Sequence, residues 1–409
     1  MSLPKTAYVL LWFPKPSETF IFREVKNIRE MGLPADVHTL YGRLDSKISP
    51  EMESEAGRVE RLGLPYLKTV FQEIWFWKRR DPALVNSLFH DILFRRWGSW
   101  EKTGENTWAF FCGFRLARRF LEEGVRHVHA PWAGGPATAA WTASRLCRIP
   151  FSFTARAWDI YPPDGALAQK VRQAAFVRAG TAHNLRYLTD LVGAEDAKKI
   201  HLTYNGVTAK NHGLSEVPLR PPYRFLALGR LVEKKGYDYL LEAAKMLADQ
   251  GLDFTLTIAG DGPLQKKLTE LAGALGLGER VSFPGFVPYH QVPDLFYQAD
   301  LFLMPSIVAS SGDRDGIPNV IMESLLHRVP VIATDISGIP ELIEDRRTGL
   351  LIPQRDSRAL ARAVLEMVGD RDQALALAER GRAKVLEQFD PEKNYQRVID
   401  LIVQTTPEK

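Results

Sequence analysis

The sequence predicts an α/β protein built from two doubly wound domains, each a parallel sheet flanked by helices. Three observations carry that prediction. The chain has 409 residues, enough for two domains of ordinary size, each with its own core. Short apolar runs bounded by glycine and proline alternate with stretches of helical length, and strand, helix, strand is the unit of a parallel sheet. A polar, proline-containing stretch, Lys210–Pro222, interrupts this alternation near the middle, which sets the expected domains at 1–209 and 210–390.

Composition narrows the class further. With 45% hydrophobic and 25% charged residues the chain reads as soluble and globular. A net charge of +4 is too small to argue for nucleic acid. The two cysteines, Cys112 and Cys147, have neither a metal-ligand spacing nor a disulfide framework, so a reducing, cytoplasmic compartment is expected. The N-terminus enters an apolar run without a signal-peptide layout. No apolar run approaches the roughly 20 residues that span a bilayer, so any contact with the inner membrane surface should be peripheral.

In the first half, Thr6–Phe13 reads as a buried strand and Pro14 and Pro16 as its loop. Ser17 can cap a helix from Glu18 to Met31, with Gly32 as its stop. That loop follows the carboxyl end of a parallel strand and should face a crevice. Between Tyr66 and Trp108, Trp75, Phe76, Trp77, Phe89, Phe94, Trp97 and Trp100 are mixed with Lys78, Arg79, Arg80, Arg95 and Arg96. Two readings fit: aromatics filling a core under wet charges, or rings and cations meeting an anionic membrane. Val125–Ala130 and Pro150–Thr154 read as strands around a helix through Ala137 to Leu146. His129, at a strand end, either projects into the crevice or is satisfied in the core.

In the second half, Tyr223–Leu228 reads as a strand running into Gly229–Gly236, then a helix from Tyr237 to Asp249. Arg230 and a lysine, Lys234 or Lys235, place cations on one turn, where they could neutralise an anion. Phe254–Ala259 leads into Gly260-Asp261-Gly262-Pro263, a tight turn and a helix started by the proline. The full Gly-x-Gly-x-x-Gly fingerprint is absent, which argues against a dehydrogenase. Val281–Val287 is a strand and loop, Ala299–Ser306 another strand, and Ile307–Arg314 a polar, flexible insertion. In Asp315–Glu323, Pro318 fits the first helical turn and leaves the N–H groups of Asn319 and Val320 free for an anion. Glu323 falls in an apolar segment, where a carboxylate needs donors such as ribose hydroxyls. Thr348–Pro353 is the last short strand, and helices run from Ser357 to Phe389.

The acid, seven residues, acid spacing of Asp315 and Glu323 resembles the signature of retaining nucleotide-sugar glycosyltransferases of the GT-B fold, in particular glycosyltransferase family 4. Pro330–Asp335, Ser337–Glu341, Gly229–Gly236 and the Asn205-Gly206-Val207 end of the first half are similar to that family's pattern. Ser17-Glu18-Thr19-Phe20 resembles its exopolysaccharide and colanic-acid-type subgroup. The resemblance implies two Rossmann-like domains facing across a cleft, with a terminal helix, about 391–409, crossing back to the first. It implies that Arg230 and Lys235 clamp the diphosphate, that Glu323 holds the ribose and that Asp315 holds donor-sugar hydroxyls. Gly316, Ile317, Pro318, Asn319 and Val320 would line the sugar or phosphate, and Gly229, Gly260, Phe286 and Val287 the nucleotide. Ser17, Glu18, Thr19, His129, Arg156 and Asp159 would lie toward the acceptor.

The implied reaction moves a hexosyl group, with retention, from a UDP- or GDP-sugar to a sugar hydroxyl of a growing glycan or lipid-linked oligosaccharide. The departing phosphate itself would take the acceptor proton, and neither metal nor cofactor is expected. Two departures stand out: Asp315 where the family usually has Glu, and Arg156 where the subgroup usually has His. An always-charged guanidinium cannot accept a proton but can pair with an anion, so Arg156 suggests a charged substrate or reduced transfer. The competing readings are a sugar-nucleotide sensor or scaffold of the same fold, or an epimerase or phosphorylase.

Overall fold

The computed structural model describes residues 3–42, 48–162, 164–208 and 218–408. The chain divides into two compact units, Met1–Gly206 with Pro391–Lys409, and Val207–Asp390. The expected boundary at 209/210 and the linker as far as residue 217 lie outside the described residues.

The first unit contains a seven-stranded sheet of β1 (Thr6–Leu10), β2 (Ala35–Thr39), β3 (Val59–Arg61), β4 (His127–Ala130), β5 (Phe151–Ala155), β6 (Phe176–Ala179) and β7 (Ile200–Leu202). Their order is β3-β2-β1-β4-β5-β6-β7, and every pair is parallel. All five residues of β1 are buried, as a strand covered on both faces must be. Alternation splits them: Ala7 and Val9 join one core with the helices Trp100–Glu123 and Gly135–Cys147. Tyr8 and Leu10 join another, formed by the helices Thr19–Glu30 and Pro391–Thr405. The tail helix contributes Tyr395, Val398, Ile399 and Ile402 to this second core, one face at helical spacing.

The second unit contains a six-stranded parallel sheet of β8 (Tyr223–Leu228), β9 (Phe254–Ala259), β10 (Val281–Ser282), β11 (Leu301–Met304), β12 (Val331–Thr334) and β13 (Leu350–Ile352), in the order β10-β9-β8-β11-β12-β13. β8 and β9 pair in register from Tyr223↔Phe254 to Leu228↔Ala259. In both sheets the strand order reverses once, between β1 and β4 and between β8 and β11. Ligands of open α/β sheets bind outside the carboxyl ends of strands at such a reversal. Here those ends open into Gly229 and Pro305.

Several expected starts move by one or two residues. Pro16–Glu18 forms a 3₁₀ turn, so the first helix begins at Thr19 and exposed Ser17 makes no cap. Pro318 has an extended ψ of 127° and stands before the helix Asn319–Leu326 rather than in its first turn. The helix after the Gly260 turn begins at Gln265, not at Pro263. In each case a proline precedes the helix, because its fixed φ suits a turn or a cap as well as a first turn.

The aromatic and basic segment divides between the two readings. Trp77 and Trp97 are buried, with the Trp77 indole N–H donating to the Phe114 carbonyl at 3.0 Å. Phe71, Trp75, Phe94 and Trp100 are exposed. Among the described residues no helix is long and apolar enough to cross a membrane.

Candidate functional site

The loops after β8 and β11 meet at the reversal in the second sheet. After Leu228 the chain turns through Gly229 and a short 3₁₀ turn, Glu233–Lys235, which directs two lysines toward the segment that follows Met304. Gly236 ends that turn at φ +62°, and a Cβ there would lie 2.1 Å from the Pro305 carbonyl oxygen, so only glycine lets the two loops close. Lys235 Nζ donates to Asp315 Oδ2 at 2.8 Å, and the same oxygen accepts from Ser306 Oγ at 2.8 Å. Ser306 is itself fixed, its carbonyl accepting from Thr334 Oγ1 at 2.6 Å at the end of β12. Lys234 pairs with Asp313 at 3.1 Å and lies 3.6 Å from Asp315. Two lysines thus face two aspartates.

Burial alone would raise the Asp315 carboxyl, but Lys235, Lys234 and the Ser306 hydroxyl hold it below the usual carboxylate range. Burial pulls the Lys235 ammonium down, against the opposing pull of Asp315. Among the described residues the buried Tyr237 hydroxyl has no hydrogen-bond partner, and it crowds Gly229: a Cβ on Gly229 would lie 3.1 Å from it and 3.2 Å from Lys235 Cε.

The other predicted residues of this unit fall around the pair. Arg230 is exposed and makes no ion pair among the described residues, which leaves its guanidinium available. Glu323 is buried on the helix Asn319–Leu326, and Gly316, Ile317, Asn319 and Val320 are half-buried. Phe286 is exposed and Val287 half-buried in the loop after β10. Gly260 has φ +133°, and a Cβ there would lie 2.0 Å from the Gly229 carbonyl oxygen. Gly260→Ala should therefore push the β8 and β9 loops apart, cost about 1–3 kcal/mol and lower the calorimetric melting midpoint. An unchanged midpoint would show that the turn relaxes freely.

Sequence reasoning missed Ser306, Tyr237 and the Lys234–Asp313 pair. The tandem lysines opposite acids at 313 and 315 were a legible signal for the last of these.

In the first unit the predicted acceptor-side residues are mostly engaged internally. Glu24, fully buried, accepts from Arg178 Nη1 at 2.6 Å and Arg156 Nη2 at 3.1 Å. Arg156 also donates to the Pro131 carbonyl at 3.1 Å and to Asn205 Oδ1 at 2.9 Å, and its guanidinium lies over the Phe20 ring at 4.6 Å. Arg156 therefore spends its guanidinium inside the protein, where it and Arg178 share the single carboxylate of Glu24. Although burial would raise the Glu24 carboxyl, Arg178 and Arg156 hold it below its ordinary value.

His129 does not project into a crevice. It is fully buried, with Nδ1 2.8 Å from Ser152 Oγ and Nε2 3.1 Å from Thr154 Oγ1. Asp159 is buried and accepts from the backbone N–H of Arg156 at 2.8 Å and of Ala133. Glu18 pairs with Lys15 at 2.6 Å and accepts from the Trp132 indole at 3.3 Å. Ser17 is exposed and Thr19 half-buried.

These buried groups predict a pH dependence. Burial pushes His127 and His129 down to about 3, against roughly 6.5 for an exposed imidazole. Between those values the unfolded chain binds more protons, so stability rises with pH. Asp159, pushed up to about 7 by burial, acts oppositely. From its unfolded value near ~3.9 upward, the folded chain keeps the proton, and that contribution is lost as pH rises through 7. Two histidines against one aspartate leave stability rising with pH between roughly pH 4 and 6.5. Urea midpoints at three pH values in that window should climb; a flat or falling series would contradict the assignment.

His38, Glu60 and Glu123 bring ligand atoms within 4.8 Å of one another, a grouping the sequence did not show. Arg119 pairs with Glu60 at 3.0 Å and Glu123 at 2.8 Å, so a cation already serves both carboxylates.

Residues 216–384, nearly all of the second unit, match the family described as Glycosyl transferases group 1. The second unit is thus similar to that family over most of its length. A relative named for colanic acid biosynthesis, WcaL of Escherichia coli (strain K12), is 38% identical over 170 residues, 41% of this chain and 42% of that one. The amylovoran biosynthesis glycosyltransferase AmsK of Erwinia amylovora is 34% identical over 207 residues, 50% of this chain and 51% of that one. The match thus spans about half the length of these relatives. Alpha-D-kanosaminyltransferase of Streptomyces kanamyceticus is 29% identical over 343 residues, 75% of this chain and 83% of that one.

Anabaena HepE, solved with UDP and glucose, superposes with a TM-score of 0.70 at 17% identity, over 97% of this chain and 98% of that one. Sucrose-phosphate synthase from Thermosynechococcus elongatus gives 0.72 at 17% identity over 98% of each chain. The fold is therefore GT-B, with two Rossmann-like parallel-sheet domains.

Proposed function

We propose that the protein is a retaining glycosyltransferase that moves a hexosyl group from a UDP- or GDP-sugar to a sugar hydroxyl of a growing glycan or lipid-linked oligosaccharide. The observation that carries this reading is the Lys235–Asp315–Ser306 cluster at the strand reversal, inside the stretch that matches the family. In this proposal Lys235 and exposed Arg230 hold the diphosphate, and Asp315 holds hydroxyls of the donor sugar. Glu323 holds the ribose. Backbone groups of Gly316 to Val320 line the sugar and phosphate, and Gly229, Gly260, Phe286 and Val287 enclose the nucleotide. Toward the acceptor the reading keeps Ser17 and Thr19, which are not tied into ion pairs.

The bond from the anomeric carbon to phosphate breaks, the bond to the acceptor oxygen forms on the same face, and the departing phosphate takes the acceptor proton. Cations beside that phosphate stabilise its growing charge, the interaction that counts most when it is stronger in the transition state than before it. The proposal uses no metal or cofactor and places the enzyme in the cytoplasm. HepE was solved with UDP and glucose, which makes UDP-glucose the first donor to try. The alternative, a sugar-nucleotide sensor or scaffold of the same fold with little transfer activity, rests on Arg156 standing where the subgroup usually has His, and that side chain is bonded to Glu24 at 3.1 Å.

Purified protein should be offered UDP-, GDP- and ADP-sugars with sugar acceptors, and the product linkage read by NMR. Transfer from one donor with retained configuration is the expected result. An inverted linkage would overturn the retaining mechanism, and tight donor binding without transfer to any sugar acceptor would overturn the enzyme assignment.

A further inference from the structure

The helix Val70–Arg80 is apolar on its outer face as well as on its inner one. Its inner face is set by Val70, Glu73 and Trp77, which are buried. Glu73, the one acid in 64–80, is taken inward and bonded by Arg115 at 2.9 Å. At i, i+4 and i+8 on another face stand Phe71, Trp75 and Arg79, with Phe71 80% and Trp75 56% exposed. Leu64 and Leu67 in the turn that leads into the helix are exposed as well. A monomer rarely leaves so many large apolar groups together in water without a use for them.

The charges identify the use. Lys68, Lys78, Arg79 and Arg80 are all exposed, and with the acid turned inward nothing on the outer side of this segment opposes them. Four cations less one acid give the segment +3, most of the whole chain's +4. The Arg79 guanidinium lies 3.4 Å over the Trp75 ring, and Arg80 lies 4.2 Å over Phe76. The Trp75 ring can therefore enter an apolar phase while Arg79 stays at the polar boundary. A little further along, Phe94 and Trp100 are exposed near Arg96, which is exposed too.

We infer that the outward face of Val70–Arg80, with the turn Leu64–Lys68, docks on an anionic lipid surface. Aromatic rings enter the headgroup boundary and cations meet lipid phosphates. This goes beyond the transferase reading and does not rest on it, since the surface lies in the first unit and would hold lipid whatever the second unit binds.

The full chain should be sedimented with vesicles of phosphatidylcholine alone and with about one third phosphatidylglycerol. At least ~tenfold stronger partition onto the anionic vesicles is expected, with loss in high salt. The pair of substitutions Phe71→Ser and Trp75→Ser should remove most of the partition. Lys78→Gln with Arg79→Gln should remove the preference for anionic lipid but leave the apolar contact. Both pairs change exposed side chains, so circular dichroism should be unaltered. Equal partition onto both vesicles, or partition indifferent to the Phe71 and Trp75 changes, would overturn the inference. So would self-association through this face without vesicle binding, read by analytical ultracentrifugation.

Discussion

Lys235→Ala should lower turnover by about 10²–10³-fold and weaken diphosphate binding by at least ~10-fold, the scale of a lost hydrogen bond to a charged group. The structure adds a complication that the residue's charge alone does not suggest. Lys235 also neutralises Asp315 at 2.8 Å, so its removal leaves a buried carboxylate with Ser306 at 2.8 Å and Lys234 at 3.6 Å. Some stability should be lost as well, about 1–3 kcal/mol, less than for a buried charge left with no partner. The two effects separate in the double substitution Lys235→Ala with Asp315→Asn. Stability should return because no unpaired charge remains, while affinity for UDP or GDP should not. Calorimetry showing unchanged nucleotide affinity in Lys235→Ala would remove this lysine from the phosphate site.

Glu24→Leu should be the most damaging single change in the first unit. It leaves Arg156 and Arg178 buried with like charges and no counterion, and the expected cost is roughly 3–5 kcal/mol. Arg156→Leu should cost less, because Arg178 still holds Glu24 at 2.6 Å. Urea denaturation of both variants gives the order directly. If Arg156→Leu proved the more costly, the carboxylate would not be the centre of this network.

The sheets were legible because buried parallel strands are written as short apolar runs. Tyr223–Leu228 and Phe254–Ala259 stand in the structure at the boundaries expected, as does the helix Tyr237–Asp249. The helix starts at Thr19, Gln265 and Asn319 were less legible, because a turn or cap before a helix uses the same residues as its first turn. Which side chains face solvent was harder still. Arg156 finds its carboxylate 132 positions away and Lys235 finds Asp315 80 positions away. Local pattern carries no record of such partners. The second pair could be guessed because the family resemblance placed both residues at one site, whereas Glu24 lay inside a helix with nothing to single it out. Likewise the ambiguity over Tyr66–Trp108 was real, since the segment supplies core tryptophans and exposed ones within the same helix.

The two lysines and two aspartates of the second unit cancel before any phosphate arrives. A diphosphate reaching Lys235 would therefore displace a rival anion instead of meeting a bare cation. Under the proposed assignment, that displacement hands Asp315 over to the sugar hydroxyls at the moment the phosphates are seated. The two ends of one donor molecule are then recognised by a single exchange. A nucleoside diphosphate lacking its sugar would free the same carboxylate and give it nothing to hold, so the spent nucleotide should leave more readily than the donor that brought it.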